Sequence, residues 1–257
     1  MRLNLNADLG ESFGAWTMGD DENLLEWVDS ANVACGFHAG DPLVMTKTLS
    51  LAKHHSVSVG AHPGFADLRG FGRRAMRLPP EETRALIVYQ LSALDGMART
   101  SGYQLTHVKP HGALNNMACD DRTLADVIVA AVRDFNSSLI FLAPVLSQLE
   151  AAAKAINLPT AGEIFADRAY TETGSLVPRN QAGAVMETSE QCIEHVRKMI
   201  DAAGLVTQQG NTLKTAFHSI CVHGDNAHAV QTAKDIRQAL IADGHELCSL
   251  PELKIQL

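Results

Sequence analysis

No two of the five cysteines, Cys35, Cys119, Cys192, Cys221 and Cys248, stand in a Cys-x-x-Cys spacing. Their odd number and wide scatter argue against a disulfide framework and a thiolate zinc site, and lead us to expect reduced, mostly buried thiols in a cytoplasmic protein. No apolar run approaches the roughly 18 residues that mark a membrane-spanning helix. The opening MRLNLNADLGE is too polar for a secretory signal. Positive charge is also scarce: 21 Lys and Arg stand against 29 Asp and Glu, a net charge of −8. That argues against a sequence-independent grip on nucleic acid, which needs a basic surface. There is no low-complexity stretch, no block of like charge and no Pro/Gly/Ser linker, so one domain over residues 1–257 is expected.

Short motifs are missing as well. Without a Walker-type loop the chain offers no ATP cradle of its own. Without a glycine fingerprint after the first strand, a dinucleotide-binding open sheet loses ground. Without a Gly-x-Ser-x-Gly elbow a serine nucleophile is disfavoured. Neither His-Glu-x-x-His nor His-x-His occurs, so no local motif announces a metal.

What remains is an alternation. Short apolar or β-branched runs at 3–6, 32–35, 57–61, 105–108, 139–142, 160–164 and 220–222 are separated by longer helical patterns. This is the signature of βα units around a parallel sheet. Helix starts are marked by Asp41–Pro42, by Pro80 with Glu81 and Glu82, by Asp120 or Asp121, by Ser189 and by Asp225. Two long gaps, 64–78 and 169–184, carry no helical period, and connections of that length are usually functional. The expected fold is α/β: a seven-stranded parallel (β/α) barrel, TIM-like, closed or slightly open, with a doubly wound sheet as the alternative.

Polar residues collect where the strands end. Asp8 and Glu11 follow the first strand, His38 the second, His62 the third, Lys109 and His111 the fourth. Glu163, Asp167 and Arg168 follow the sixth, and His223 and Asp225 the seventh. A parallel barrel gathers all these ends on one face, where its active site is built. Lys109 stands out because lysines rarely sit at the inner end of a buried strand. By contrast His54, His55, His195 and His245 lie in helical patterns and are expected to be solvated, and His107 is expected to be structural.

Several His with Asp or Glu at one mouth suit a divalent metal that polarises a carbonyl and activates water. A metal-free site suits the same residues: a carboxylate as general base, with Lys109 and an imidazole stabilising an oxyanion. Both describe hydrolysis of an amide or similar carbonyl group. Asp8, Glu11 or Glu163 is the expected base. Lys109 and His111 are expected to stabilise negative charge. His38, His62, His223 and Asp225 are expected to shape the site, with His38, His62 and His223 as the metal set. Arg168, with Asp167, or Arg73 from the 64–78 segment is expected to bind the substrate. Replacing Lys109 by Ala is expected to abolish turnover and leave the fold intact.

The segments LNLNADLGESFG, ANVACGFHAGDP, VGAHPGFADLRGFGRR, HVKPHGALNN, EIFADRAY with GSLVPR, and ICVHGDN together resemble the LamB/YcsF family, that of the A subunits of prokaryotic 5-oxoprolinase. The likeness runs from Asn4 to about Leu250. It implies a seven-stranded barrel similar to polysaccharide deacetylases. It also implies cleavage of 5-oxo-L-proline to L-glutamate with ATP as co-substrate of the complex, and partner B and C subunits. Two rival readings stay open: a stand-alone metal-dependent deacetylase or amidohydrolase, and a non-enzymatic subunit that binds a lactam or carbohydrate.

Overall fold

The computed structural model describes residues 1–222 and 229–255. In chain order the elements are β1 (Arg2–Leu9), α1 (Asp21–Leu24), β2 (Ser30–Ala34), α2 (Pro42–His54), β3 (Ser58–His62), α3 (Pro80–Thr100), β4 (His107–Val108), α4 (Gly112–Asp120), α5 (Arg122–Phe135), β5 (Ile140–Pro144), α6 (Gln148–Ala155), β6 (Thr160–Phe165), α7 (Ser189–Ala202), β7 (Gly204–Val206), β8 (Thr212–Lys214), β9 (Ser219–Val222), α8 (Ala229–Ala242) and β10 (Glu246–Leu247). The parallel order β1-β2-β3-β4-β5-β6-β9 returns to β1, which pairs with β2 on one side and β9 on the other. The barrel is therefore closed, and closure removes the exposed edges of an open sheet. Short β10 adds to the start of β1 at Arg2 and Leu3. All seven expected strands are present. The antiparallel hairpin of β7 and β8 was not expected, because three-residue strands carry too little periodicity to be seen.

The chain signals that start helices act as read. Asp41 accepts from the amides of Leu43 and Val44 at the head of α2, and Asp121 does the same for Thr123 and Leu124 in α5. A capping box of Thr188 and Gln191 opens α7. Helix α4 begins directly after His111, at a Gly112 with φ of +54°, a conformation that favours glycine. Asp225 lies outside the described residues.

The apolar core is the shell between barrel and helices, where Leu49, Ile87, Leu91, Ile128 and Leu149 are fully buried. Each such side chain contributes about 1.5–3 kcal/mol by leaving water. The barrel interior is different. Parallel barrels usually fill it with branched apolar side chains. Here Asn6 of β1 donates to Glu163 of β6, a strand that is not its neighbour, so Asn6 points inward and Leu5 and Ala7 point to the shell. Asn4 and Ser219 bond to each other on the same inner face, and Asn6 bonds to Ser219. These groups are fully buried, and their mutual bonds offset much of the penalty of burying polar atoms, although Glu163 Oε2 has no hydrogen-bond partner among the described residues.

Candidate active site

A cavity of about 740 Å³ opens at the C-terminal ends of the strands. Its deep end is Asp8, His62, Lys109 and His111. Both long segments without helical period supply walls, the first through Arg73 and the second through Thr173, Gly174 and Arg179. Asp8 and His62 belong to the strands themselves, since the parallel ladder keeps pairing past the points where the apolar runs stop, and Glu163 lies within β6.

The Lys109 ammonium is 3.1 Å from Asp8 Oδ1, 2.9 Å from Glu163 Oε1 and 3.1 Å from Cys221 Sγ. Burial works against the charge on Lys109, but the carboxylates of Asp8 and Glu163 outweigh it and hold its pKa well above the ordinary value. Burial pushes the pKa of Glu163 up in spite of Lys109. Glu163 lies behind Lys109 and does not line the cavity, whereas Asp8 does. Asp8 is oriented by a chain of bonds. His107 sends Nε2–H to Asn32 Oδ1 at 3.0 Å, because an amide oxygen can only accept. Asn32 Nδ2 then donates to Asp8 Oδ1 at 2.9 Å. Burial lowers the pKa of His107 to about 3, so this ring is neutral.

The imidazoles carry a second constraint. His62 Nδ1 lies 2.7 Å from the Lys109 carbonyl and His111 Nε2 lies 2.9 Å from the Phe71 carbonyl. Carbonyls only accept, so both nitrogens carry hydrogen. The remaining nitrogens, His62 Nε2 and His111 Nδ1, face each other at 2.9 Å, and His62 Nε2 also stands 3.4 Å from Asp8 Oδ2. His38 stacks on His111 with ring centroids 3.7 Å apart, and neither of its buried nitrogens has a hydrogen-bond partner among the described residues. Burial, with His111 and His62 next, holds the His38 pKa well below the ordinary value, and burial lowers that of His111 to about 3. Glu11 Oε1 stands 3.8 Å from both His38 Nε2 and His111 Nδ1. One donor atom from each of Glu11, His38, His62 and His111 falls within 4.8 Å of the others. Three imidazoles and a carboxylate, buried and converging, fit a divalent cation. Gly72 lets the 64–78 segment press on these rings: its φ is +61°, and a Cβ there would meet His38 Cβ at 2.7 Å.

The structure thus brings Asp8, Glu11, His38, His62, Lys109, His111 and Glu163 together, and among the described residues Glu11 and His111 join His38 and His62 of the expected metal set in one cluster. His223 and Asp225 lie outside the described residues. Arg73 and Arg168 line the cavity and Asp167 does not. The buried Arg168 is held by the carbonyls of Val177 (2.6 Å) and Ala184 (3.4 Å), and burial, followed by the Arg179 guanidinium, pulls its pKa down. His195 is a correction: it is buried, not solvated, its Nε2 bonded to the Arg168 carbonyl at 2.9 Å, because α7 packs that face against the 168–170 turn. Asn6, Asn32, Cys221 and Arg179 were not anticipated. The signal for the first was the alternation in LNLNADL, which puts Asn4, Asn6 and Asp8 on one face.

The sequence is 55% identical to the 5-oxoprolinase A subunit of Azoarcus sp. (strain BH72), over 98% of this chain and 99% of that protein. It is 47% identical to the 5-oxoprolinase A subunit of Bacillus subtilis (strain 168), over 98% of both. The crystal structure of a lactam utilization protein from Thermus thermophilus matches with a TM-score of 0.91 at 39% identity, covering 97% of this chain and 100% of that one. The catalytic domain of a peptidoglycan N-acetylglucosamine deacetylase from Eubacterium rectale ATCC 33656 shares the fold alone, with a TM-score of 0.50 and 13% identity over 97% of this chain and 88% of that one. Residues 3–254 match the LamB/YcsF family as a whole, and the chain belongs to that family.

Proposed function

We propose that this chain opens the ring of 5-oxo-L-proline, adding water at the lactam carbonyl to give L-glutamate, as the A subunit of a cytoplasmic ATP-coupled 5-oxoprolinase. The observation that carries the reading is the Lys109–Asp8 pair facing into the cavity, in a chain whose full-length relatives are named for this activity. A five-membered lactam is a poor electrophile, so its opening is coupled to ATP. The chain has no Walker-type loop, and the B and C subunits are assigned the nucleotide step.

Asp8 acts as the general base. Asn32 and Lys109 hold its Oδ1, and the carboxylate takes a proton from the attacking water and returns it to the ring nitrogen as the C–N bond breaks. The Lys109 ammonium stands where negative charge develops on the carbonyl oxygen, in a site with little water to screen it. Glu163 is a positioning residue that keeps Lys109 charged and aimed. Arg168 and Arg73 receive the substrate carboxylate. A divalent cation held by Glu11, His38, His62 and His111 supplies Lewis-acid polarisation of the carbonyl when bound.

The test is reconstitution of the purified chain with candidate B and C proteins, reading glutamate release from 5-oxo-L-proline. Glutamate is expected only with all three proteins and ATP. Acetate release from an acetylated sugar by the chain alone, with no glutamate from the mixture, would assign it to metal-dependent deacetylation instead.

A further inference from the structure

Trp16 is 74% exposed, an unusual state for an indole on an ordered segment. The segment is held in one shape. Phe13 and Trp16 exchange backbone hydrogen bonds, both 2.9 Å, and their rings stack with centroids 6.3 Å apart. Ser12 Oγ accepts from the Met18 amide at 3.0 Å. One carboxylate ties this turn to helix α2: Asp41 accepts from Gly14 N through Oδ2 (2.8 Å) and from Leu43 N through Oδ1 (2.8 Å). Leu43, 81% exposed, therefore belongs to the same surface, as does Met18 at 36%. A large aromatic on a rigid turn loses little freedom on docking, which is the property of an interface anchor.

The charge around it is mostly negative, with Lys47, one turn along α2 from Leu43, as an exposed cation beside it. Residues 3–46 contain no Lys or Arg, and Asp20, Glu22 and Glu26 on this stretch are exposed. The turn also continues directly from Glu11, which lines the cavity.

We propose that Trp16, with Met18 and Leu43, is the docking surface for a partner protein of the complex, one presenting an apolar cleft edged by Lys and Arg. The inference rests on the reading of this chain as one member of a multi-protein enzyme.

The experiment titrates purified B and C proteins with the wild-type chain, Trp16→Ala and Trp16→Lys, at low and high salt, alongside glutamate release and analytical ultracentrifugation of the chain alone. Expected are a dissociation constant raised roughly tenfold or more by Trp16→Ala, a larger loss with Trp16→Lys, weaker wild-type binding at high salt, and unchanged turnover at saturating partner. Wild-type affinity in Trp16→Lys, in a mixture that still makes glutamate, overturns the surface and leaves the function standing. A variant that breaks up a homodimer but keeps its partner affinity assigns the surface to a second copy of this chain and also overturns the proposal. No binding and no glutamate from the wild-type mixture removes the functional reading, and the proposal with it.

Discussion

Lys109 is only 3% exposed and holds two carboxylates at 3.1 and 2.9 Å. Removing the cation leaves Asp8 and Glu163 as like charges in a dry interior, a change that costs about 3–5 kcal/mol when one partner of a buried pair is lost. The sequence alone suggested that Lys109→Ala would spare the fold. The geometry says otherwise. Lys109→Met is expected to lose turnover and to lower the midpoint of denaturant unfolding, and Lys109→Met with Glu163→Gln to regain part of the stability and none of the turnover. A single variant as stable as wild type would show that the ammonium does not neutralise its neighbours. Lys109 was legible in the sequence because a lysine closing an apolar run is rare. Its partner Asn6 was not, since both faces of a parallel barrel strand are buried and alternation alone does not say which face is the axis.

The segment between β3 and α3 shows what a loop needs in order to serve a site. Its short 3₁₀ turn, Leu68–Gly70, is capped by Asp67, which also receives the Arg74 guanidinium, with Nε at 2.9 Å. The Arg74 hydrogen bonds hold the Asp67 carboxyl down at about 2. Its folded-state pKa is thus below the unfolded value near 3.9. The stabilisation is complete above that value and is lost as pH falls from about 4 to about 2. Carboxylate titration followed by NMR is expected to place the Asp67 midpoint near 2 in wild type and near the ordinary value in Arg74→Gln. An unchanged midpoint in the variant would remove Arg74 as the cause. The sequence marked this segment as functional by its length and lack of period. It held no sign that the Phe71 carbonyl fixes the His111 tautomer, because that contact joins positions 40 apart.

For the molecule as a whole, seven strands in parallel βα units were readable from alternating runs, which left closed and slightly open barrels both standing, while closure and the chemistry of the barrel axis depended on pairings that no local pattern encodes. The cluster of Glu11, His38, His62 and His111 draws on β1, β2, β3 and β4 or the loops after them, so a cation bound there ties four βα units together. A ligand present at a hundredfold excess over its dissociation constant adds about 2.7 kcal/mol to unfolding. Melting after chelation is therefore expected to fall, and to recover on adding the metal identified by elemental analysis. Melting curves indifferent to chelator and to Zn, Mn, Co and Ni would take the cation out of the reading.

The ring of strands is sealed by joining its two ends. Asn6 near the start of the chain meets Ser219, 213 positions later, and the same Asn6 reaches Glu163. A nascent polypeptide emerging from the ribosome accordingly holds an open ring until β9 has been synthesised, and a fragment lacking β9 keeps Asp8 and Glu163 but has neither the strand that joins β6 to β1 nor Cys221 beside Lys109. The chemistry is withheld by chain connectivity until the strand that closes the barrel has been made.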